Sequence, residues 1–235
     1  MIDPGRIIVA LDFSKKEDAL KIVDELEGLI NFYKVGLELF LSEGAQILKI
    51  LKNKGKKVFL DLKFHDIPNT VYKAVKSVLQ YEIDMFTVHA SGGIEMMQRA
   101  VMAVKEYSYR ENIPPPKILG VTVLTSLNDE ELTQVFSSPV AREVLAKNLA
   151  LKAKQAELDG VVSAVSSVKT IKELCGKDFT VVTPGIRLKD ANFHDQKIVA
   201  TPYEAFCEGA DYIVIGRAIT ETSPRRAIIT MINPQ

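Results

Sequence analysis

The sequence predicts an α/β fold and, within that class, a (β/α)8 TIM barrel over residues 1–235 as one domain. Three observations carry this expectation. Eight short runs rich in β-branched residues each lead into a stretch with helical features, which is the repeat of a barrel built from β/α units. The length of 235 residues suits a barrel and is short for two ordinary domains. The turn after the first strand reads Asp12-Phe13-Ser14, without the glycines that open a doubly wound sheet.

Each element follows from local pattern. Arg6–Asp12 (RIIVALD) is strand one, and Lys15–Leu29 is its helix, with Ala19, Leu20, Val23, Leu26 and Leu29 at helical spacing. Asn31–Gly36 is strand two, and Glu38–Asn53 is one helix stopped by Gly55. Lys57–Lys63 (KVFLDLK) is strand three, followed by a helix over Asn69–Gln80. Asp84–His89 is strand four; Ser91-Gly92-Gly93 opens a helix over Ile94–Tyr107, whose Met96, Met97 and Met102 read as core filling. The stiff Pro114-Pro115-Pro116 run feeds strand five, Lys117–Leu124. Asn128 and Glu131 have the spacing of a capping box, and a further helix runs from Pro139 to Leu158. Gly160–Ala164 is strand six and Val168–Leu174 its helix. Phe179–Thr183 is strand seven, broken by Pro184-Gly185; Asp211–Ile215 is strand eight, and Pro224–Ile232 is the last helix.

Composition narrows the function classes. Apolar residues at 47% and charged residues at 26% describe a packed globular chain and exclude disorder or a fibrous repeat. Thirty basic residues balance thirty acidic ones, so no global positive field recommends nucleic acid or an anionic membrane as partner. A local positive pocket for a small anion is compatible with that balance. The two cysteines, Cys175 and Cys207, exclude a disulfide scaffold and a cysteine-rich zinc site, and suit a reducing compartment. The start, MIDPGRIIVALD, lacks the basic and small-residue features of a secretion signal. No window approaches the ~18 apolar residues of a membrane span. A soluble, cytoplasmic protein is expected.

In a barrel of this kind, chemistry gathers at the C-terminal strand ends. Polar residues predicted there are Asp12, Lys34, Asp61, Lys63, His65, Asp66, His89, Thr125, Ser126, Thr183, Arg187, Gly216 and Arg217. On strand three, alternation places Asp61 and Lys63 on one face. Charges on an apolar barrel strand are costly unless paired or solvated; Lys34 and Asp66 make the set two lysines and two aspartates. An ion-pair network that merely closes the mouth is the plainer alternative; against it stands the density of charge at the end where this fold keeps its chemistry. Gly216-Arg217 after strand eight is a ready anion site, phosphate above all; a tight turn with an exposed arginine is the plainer alternative. Residues 187–201 form a long polar stretch that reads either as a lid or as a surface loop. His65, His89 and His194 lack metal-ligand spacing, so His89 is expected to bond a loop carbonyl and His65 to pack near the end of strand three.

Asp61–Thr70 (DLKFHDIPNT) resembles the signature of the orotidine 5′-phosphate decarboxylase family. The likeness continues through Val9–Asp12 (VALD), Tyr33-Lys34-Val35-Gly36, Thr122–Ser126 (TVLTS), Thr183–Arg187 (TPGIR), Asp195–Pro202 (DQKIVATP) and Ile215-Gly216-Arg217. It implies decarboxylation of orotidine 5′-monophosphate to UMP with neither metal nor organic cofactor, in a homodimer with two sites at the subunit interface. It implies that Lys63 donates the proton to C6, that Asp61 sits beside the departing carboxylate, and that Lys34 and Asp12 order the array and touch the ribose. Asp66 and Thr70 would reach the other subunit's site, with Ile67 beside them. Thr125 would meet the pyrimidine edge, while Arg187, Gln196, Gly216 and Arg217, with Pro184, would hold the phosphate side. His194 stands where an acid is more usual.

Two other functions fit parts of this pattern. A metal-using decarboxylase of 3-keto-L-gulonate 6-phosphate shares D-x-K-x-x-D, but has an acid at the position of Lys34, whose ammonium would repel a cation. A phosphate-binding barrel with purely structural charges is the non-enzymatic alternative.

Overall fold

The computed structural model describes residues 1–137, 139–187 and 200–233. Eight parallel strands close a barrel in sequence order, the last pairing with the first. They are β1 (Ile7–Ala10), β2 (Phe32–Gly36), β3 (Lys57–Phe64), β4 (Met85–His89), β5 (Lys117–Val121), β6 (Gly160–Val162), β7 (Thr180–Thr183) and β8 (Tyr212–Ile215). Most are shorter than their apolar runs suggest: β1, β5 and β6 stop early at the barrel mouth, and β2, β4, β7 and β8 begin one residue later than expected.

The helices are α1 (Lys16–Glu25), α2 (Leu37–Glu43), α3 (Gln46–Asn53), α4 (Pro68–Leu79), α5 (Ile94–Glu111), α6 (Asp129–Phe136), α7 (Arg142–Gln155), α8 (Val168–Cys175), α9 (Pro202–Cys207), α10 (Arg217–Thr220) and α11 (Pro224–Ile232). The single helix expected over Glu38–Asn53 is two helices. Gly44 ends α2 with φ +62°, a left-handed conformation that glycine enters without penalty. The capping box is present: the Asn128 side chain accepts from the Glu131 N–H, and Glu131 accepts from the Asn128 N–H. The helix expected from Pro139 begins only at Arg142, whose N–H is held by the Asp129 carboxylate. Met96 and Met97 are fully buried on α5, but Met102 is 44% exposed, so the expectation of three core methionines fails for the one on the outer face.

Alternation along the strands builds two apolar layers. Ile7 and Val9 of β1, Tyr33 and Val35 of β2 and Val58 and Leu60 of β3 face the helices and join the large outer core. Ile8, Ala10, Phe32, Phe59, Met85, Leu119, Val182 and Val214 fill the lumen. Two residues beyond Phe32, Phe59 and Met85, the same inward direction delivers Lys34, Asp61 and Thr87. The side chains that could do chemistry therefore stand on a packed apolar floor.

The opposite rim is stapled by a repeated device. Asp84, Asp159 and Asp211 each precede an even-numbered strand. Their carboxylates accept the N–H of Val58 at 2.8 Å, Ile118 at 2.7 Å and Val181 at 2.6 Å, the second residues of β3, β5 and β7. Their own N–H groups donate to the carbonyls of the same three residues. Lys52 and Lys172 add ion pairs to Asp84 and Asp211.

This rim is remote from the barrel mouth, so its loss should cost stability alone. Asp159→Ala is expected to lower stability by about 1 kcal/mol, or roughly 2–4 °C in Tm by calorimetry, with kcat/KM kept. A Tm unchanged by the substitution would show that the staple contributes nothing.

Candidate active site

A cavity of about 610 Å³ opens at the C-terminal end of the barrel. Its floor is apolar, made by Ala10, Phe59, Val121, Val162 and Val214. Its wall carries Asp12 after β1, Lys34 on β2, Asp61 and Lys63 on β3, Thr125 after β5, Pro184 and Arg187 after β7, and Gly216 and Arg217 after β8. Nine of the sequence-predicted positions thus converge on one space.

Four charges form a chain on one side of it. Asp12 Oδ1 lies 2.9 Å from Lys34 Nζ. Lys34 Nζ lies 3.7 Å from Asp61 Oδ2, and the same oxygen accepts from Lys63 Nζ at 2.8 Å. The Asp61 and Lys34 side chains are 12% and 11% exposed, so the central pair is largely desolvated. Burial alone would raise the pKa of Asp61; the ammonium groups of Lys34 and Lys63, with hydrogen bonds from Lys63 and Thr87, overcome it and hold the carboxyl below its ordinary range. Burial would likewise lower the pKa of Lys34, and the Asp12 and Asp61 carboxylates reverse that, holding the ammonium above its usual value. Asp61 and Lys34 are thus each held in the charged form by the other and by their outer partners.

Backbone geometry at β3 aims these groups. Alternation puts Asp61 and Lys63 on one face, but the strand does not remain regular. Phe59 pairs with Met85 and Leu60 with Phe86, whereas the next pair is Phe64 with Val88. Four residues of β3 therefore span two of β4, a bulge of the kind that re-aims side chains. Lys63 takes φ +52°, rare for a residue with a Cβ and costly without compensation.

Two residues of this array carry no charge signal in the sequence. Thr87 is fully buried on β4. Its hydroxyl donates to Asp61 Oδ1 and accepts the Lys63 N–H, both at 2.9 Å. The inward alternation of β4 after Met85 was the available signal. Gly36 ends β2 where a Cβ would stand 2.9 Å from Lys34 Nζ and 3.2 Å from Asp12 Oδ1. Any larger residue would crowd the Lys34–Asp12 pair.

The second side of the cavity is cationic. Arg187 is buried; its Nη1 donates to the Ile186 carbonyl at 3.0 Å, and its Nε has no hydrogen-bond partner among the described residues. Burial, with the neighbouring positive charge of Arg217, lowers its pKa, partly offset by Glu221. A buried donor beside a second arginine is a site for an anion. Gly216 leads directly into α10, which begins at Arg217.

Other predicted residues lie elsewhere. Asp66, Ile67 and Thr70 are exposed and do not line their own chain's cavity; Asp66 accepts from the Ile67 N–H. Gln196, His194 and most of the 187–201 stretch, read either as a lid or as a surface loop, lie outside the described residues. His89 makes no carbonyl hydrogen bond among the described residues. Its ring instead meets that of His65 near the end of β3, centroids 5.1 Å apart. Burial, then the charges of His65 and Lys63, lower its pKa and keep it neutral. Among the described residues, no group of three His, Cys, Asp or Glu side chains is placed to hold a metal ion.

Relatives share this architecture over almost their whole length. The chain is 52% identical over 222 residues to the orotidine 5′-phosphate decarboxylase of Carboxydothermus hydrogenoformans, covering 94% of this chain and 91% of that protein. It is 44% identical to the enzyme of that name from Nostoc sp., covering 92% and 90%. The crystal structure of orotidine 5′-phosphate decarboxylase from Lactobacillus acidophilus superposes with a TM-score of 0.83 at 38% identity, over 97% of each chain. The model of the orotidine 5′-phosphate decarboxylase / HUMPS family matches residues 5–232, and the chain belongs to that family.

Proposed function

We propose that the protein converts orotidine 5′-monophosphate to UMP and CO2, the last step of de novo pyrimidine synthesis. The observation that carries this reading is the ion-paired array Asp12–Lys34–Asp61–Lys63 on an apolar floor, opposite a buried arginine whose Nε has no partner among the described residues. Within the family, the alternative is the HUMPS branch. A lysine at position 34, inside the cluster, disfavours a metal-dependent reaction, because its ammonium occupies the place where a cation would need an acid.

The residues act as follows. Loss of CO2 from C6 leaves the bonding electron pair in the ring plane, where no π system delocalises it. Stabilisation must come from preorganised charge, and the Lys63 ammonium supplies it as the negative charge develops. Lys63 then gives its proton to C6, forming the C–H bond of UMP, and regains a proton from water. Asp61 holds the ammonium in position before substrate arrives and lies beside the departing carboxylate. Lys34 carries charge balance to Asp12, and both address the ribose. Thr125 meets the pyrimidine edge. Arg187, Gly216 and Arg217, with Pro184 and Gln196, take the phosphate, whose binding energy orders the site.

We further place the enzyme in the cytoplasm as a homodimer, with residues 1–235 as one barrel domain. Free thiols at Cys175 and Cys207 suit a reducing compartment. Ile67 is 68% exposed beside Asp66 and Thr70 at the barrel mouth, which supports delivery of all three into a second subunit's site.

Three measurements test this. Lys63→Ala should lower kcat roughly 1,000-fold or more while circular dichroism reports an intact barrel; near-normal UMP formation would remove Lys63 from the chemistry. Arg217→Ala should reduce kcat/KM by the equivalent of about 2–4 kcal/mol, and unchanged kinetics would exclude it from the phosphate site. The third concerns pH. A carboxyl held low, such as Asp61, gives its full stabilisation above the unfolded value of ~4 and loses it as pH falls through the folded value. The Tm difference between wild type and Asp61→Asn should therefore be constant from about pH 6 to 8 and narrow below about pH 4. A gap that persists unchanged into stronger acid would show that Asp61 gains nothing from its lysines.

A further inference from the structure

We propose that Thr87 is a positioning residue for the decarboxylation, acting through one hydroxyl on both Asp61 and Lys63. The inference rests on the reading of Lys63 as proton donor and goes beyond it by naming what holds that donor.

Two independent features of the structure point to this. The first is the division of labour between the two Asp61 oxygens. Oδ2 faces the ammonium groups, at 2.8 Å from Lys63 and 3.7 Å from Lys34. Oδ1 accepts from Thr87 Oγ1 at 2.9 Å. A carboxylate held at one oxygen only can rotate about its terminal torsion, which is broad. Held at both, its plane is fixed, and the direction of its negative charge is fixed with it.

The second is the bulge. With Leu60 paired to Phe86 and Phe64 to Val88, Lys63 is carried out of the regular ladder, and its N–H needs another acceptor. Thr87 Oγ1 supplies one at 2.9 Å. That bond pins the backbone at φ +52°, a strained conformation that lysine would otherwise leave. The hydroxyl has a single proton, which goes to Asp61, and its lone pair takes the Lys63 N–H. Because Thr87 is 0% exposed and its χ1 is stiff, the link moves with the barrel wall and not with solvent.

The consequence is kinetic and specific. Removing the hydroxyl frees both the Asp61 carboxylate and the Lys63 backbone, so the ammonium is misplaced relative to C6 while the phosphate side is untouched. A merely structural threonine would lower Tm without altering the chemical step.

The test compares Thr87→Val, Thr87→Ala and Thr87→Ser with wild type. The readouts are kcat and KM for orotidine 5′-monophosphate, Kd for UMP, and Tm. Thr87→Val is expected to lose about ten- to a hundredfold in kcat, with KM and the UMP Kd within about threefold. Thr87→Ser should restore kcat to within about threefold of wild type, even where its Tm falls. A kcat for folded Thr87→Val within threefold of wild type would overturn the proposal, as would a serine variant as impaired as the valine one. Should Thr87→Val fail to fold, the serine-to-alanine ratio decides: about tenfold or more in kcat supports the role, and equality refutes it. Lys63→Ala run in parallel separates the two failures. If it is inactive while Thr87→Val is fully active, only the role of Thr87 falls; if it is active, the assignment of the proton donor falls first.

Discussion

The buried Asp61 carboxylate is the point on which the barrel mouth turns. An isolated carboxylate at 12% exposure would be strongly disfavoured as an anion, and two lysines brought together without it would repel each other. Placed between Lys34 and Lys63, it makes both ammonium groups tolerable, and each of them makes it tolerable in return. Asp12 balances the remaining charge at 2.9 Å from Lys34. The four side chains are neutral as a set, and none of the inner members is easily removed alone. Such an arrangement is weak as a source of stability. It is strong as a means of fixing the charge before substrate arrives, which is what a reaction without an electron sink requires.

The fold delivers this array by a simple rule that it then breaks once. Inward positions of β2, β3 and β4 carry Phe32, Phe59 and Met85 in the lumen, and two residues later the same direction yields Lys34, Asp61 and Thr87. Had β3 continued in register, Lys63 would have followed at the next inward place. The bulge between Leu60 and Phe64 instead lifts Lys63 into a left-handed conformation and turns its ammonium back onto Asp61. The two ends of the barrel thus divide their work. At one rim, Asp84, Asp159 and Asp211 tie neighbouring strands together through their backbones. At the other, a strand is released from its neighbour so that a side chain can be aimed.

Much of this was legible in the residues, and the remainder has identifiable causes. Eight strands and their order follow from β-branched runs alternating with amphipathic ones, because the apolar pattern must match the layers on both faces of the sheet. Lys34, Asp61 and Lys63 were visible because charge in an apolar strand demands an explanation. Thr87 was not, since a threonine within MFTVH is an ordinary strand residue until its neighbours are known. Gly36 resembled a family position, but its steric reason is the room needed by the Lys34–Asp12 pair, which depends on how β1 and β2 lie side by side. The break at Gly44 was obscured because the apolar stripe continues on both sides of it. Met102 shows the converse: helical spacing placed it with Met96 and Met97, yet it falls beyond the strip that the barrel covers.

The separation of the two charged regions has a consequence for how the proposed reaction is driven. Arg187 comes from the segment after β7 and Arg217 from the start of α10 after β8, while the paired charges come from β2, β3 and the segment after β1. A substrate whose anionic group engages the arginines and whose ring meets Lys63 must span the cavity. The Arg187 Nε, buried without a partner among the described residues, leaves a donor unsatisfied at the end where the phosphate is proposed to bind. At the other end nothing is unsatisfied: Asp61 and both lysines are already paired. Binding energy is therefore available at the end remote from C6, and the rigid end is ready for the transition state without reorganisation. That asymmetry lets affinity for a distant group be expressed as rate rather than as tighter binding of the ring.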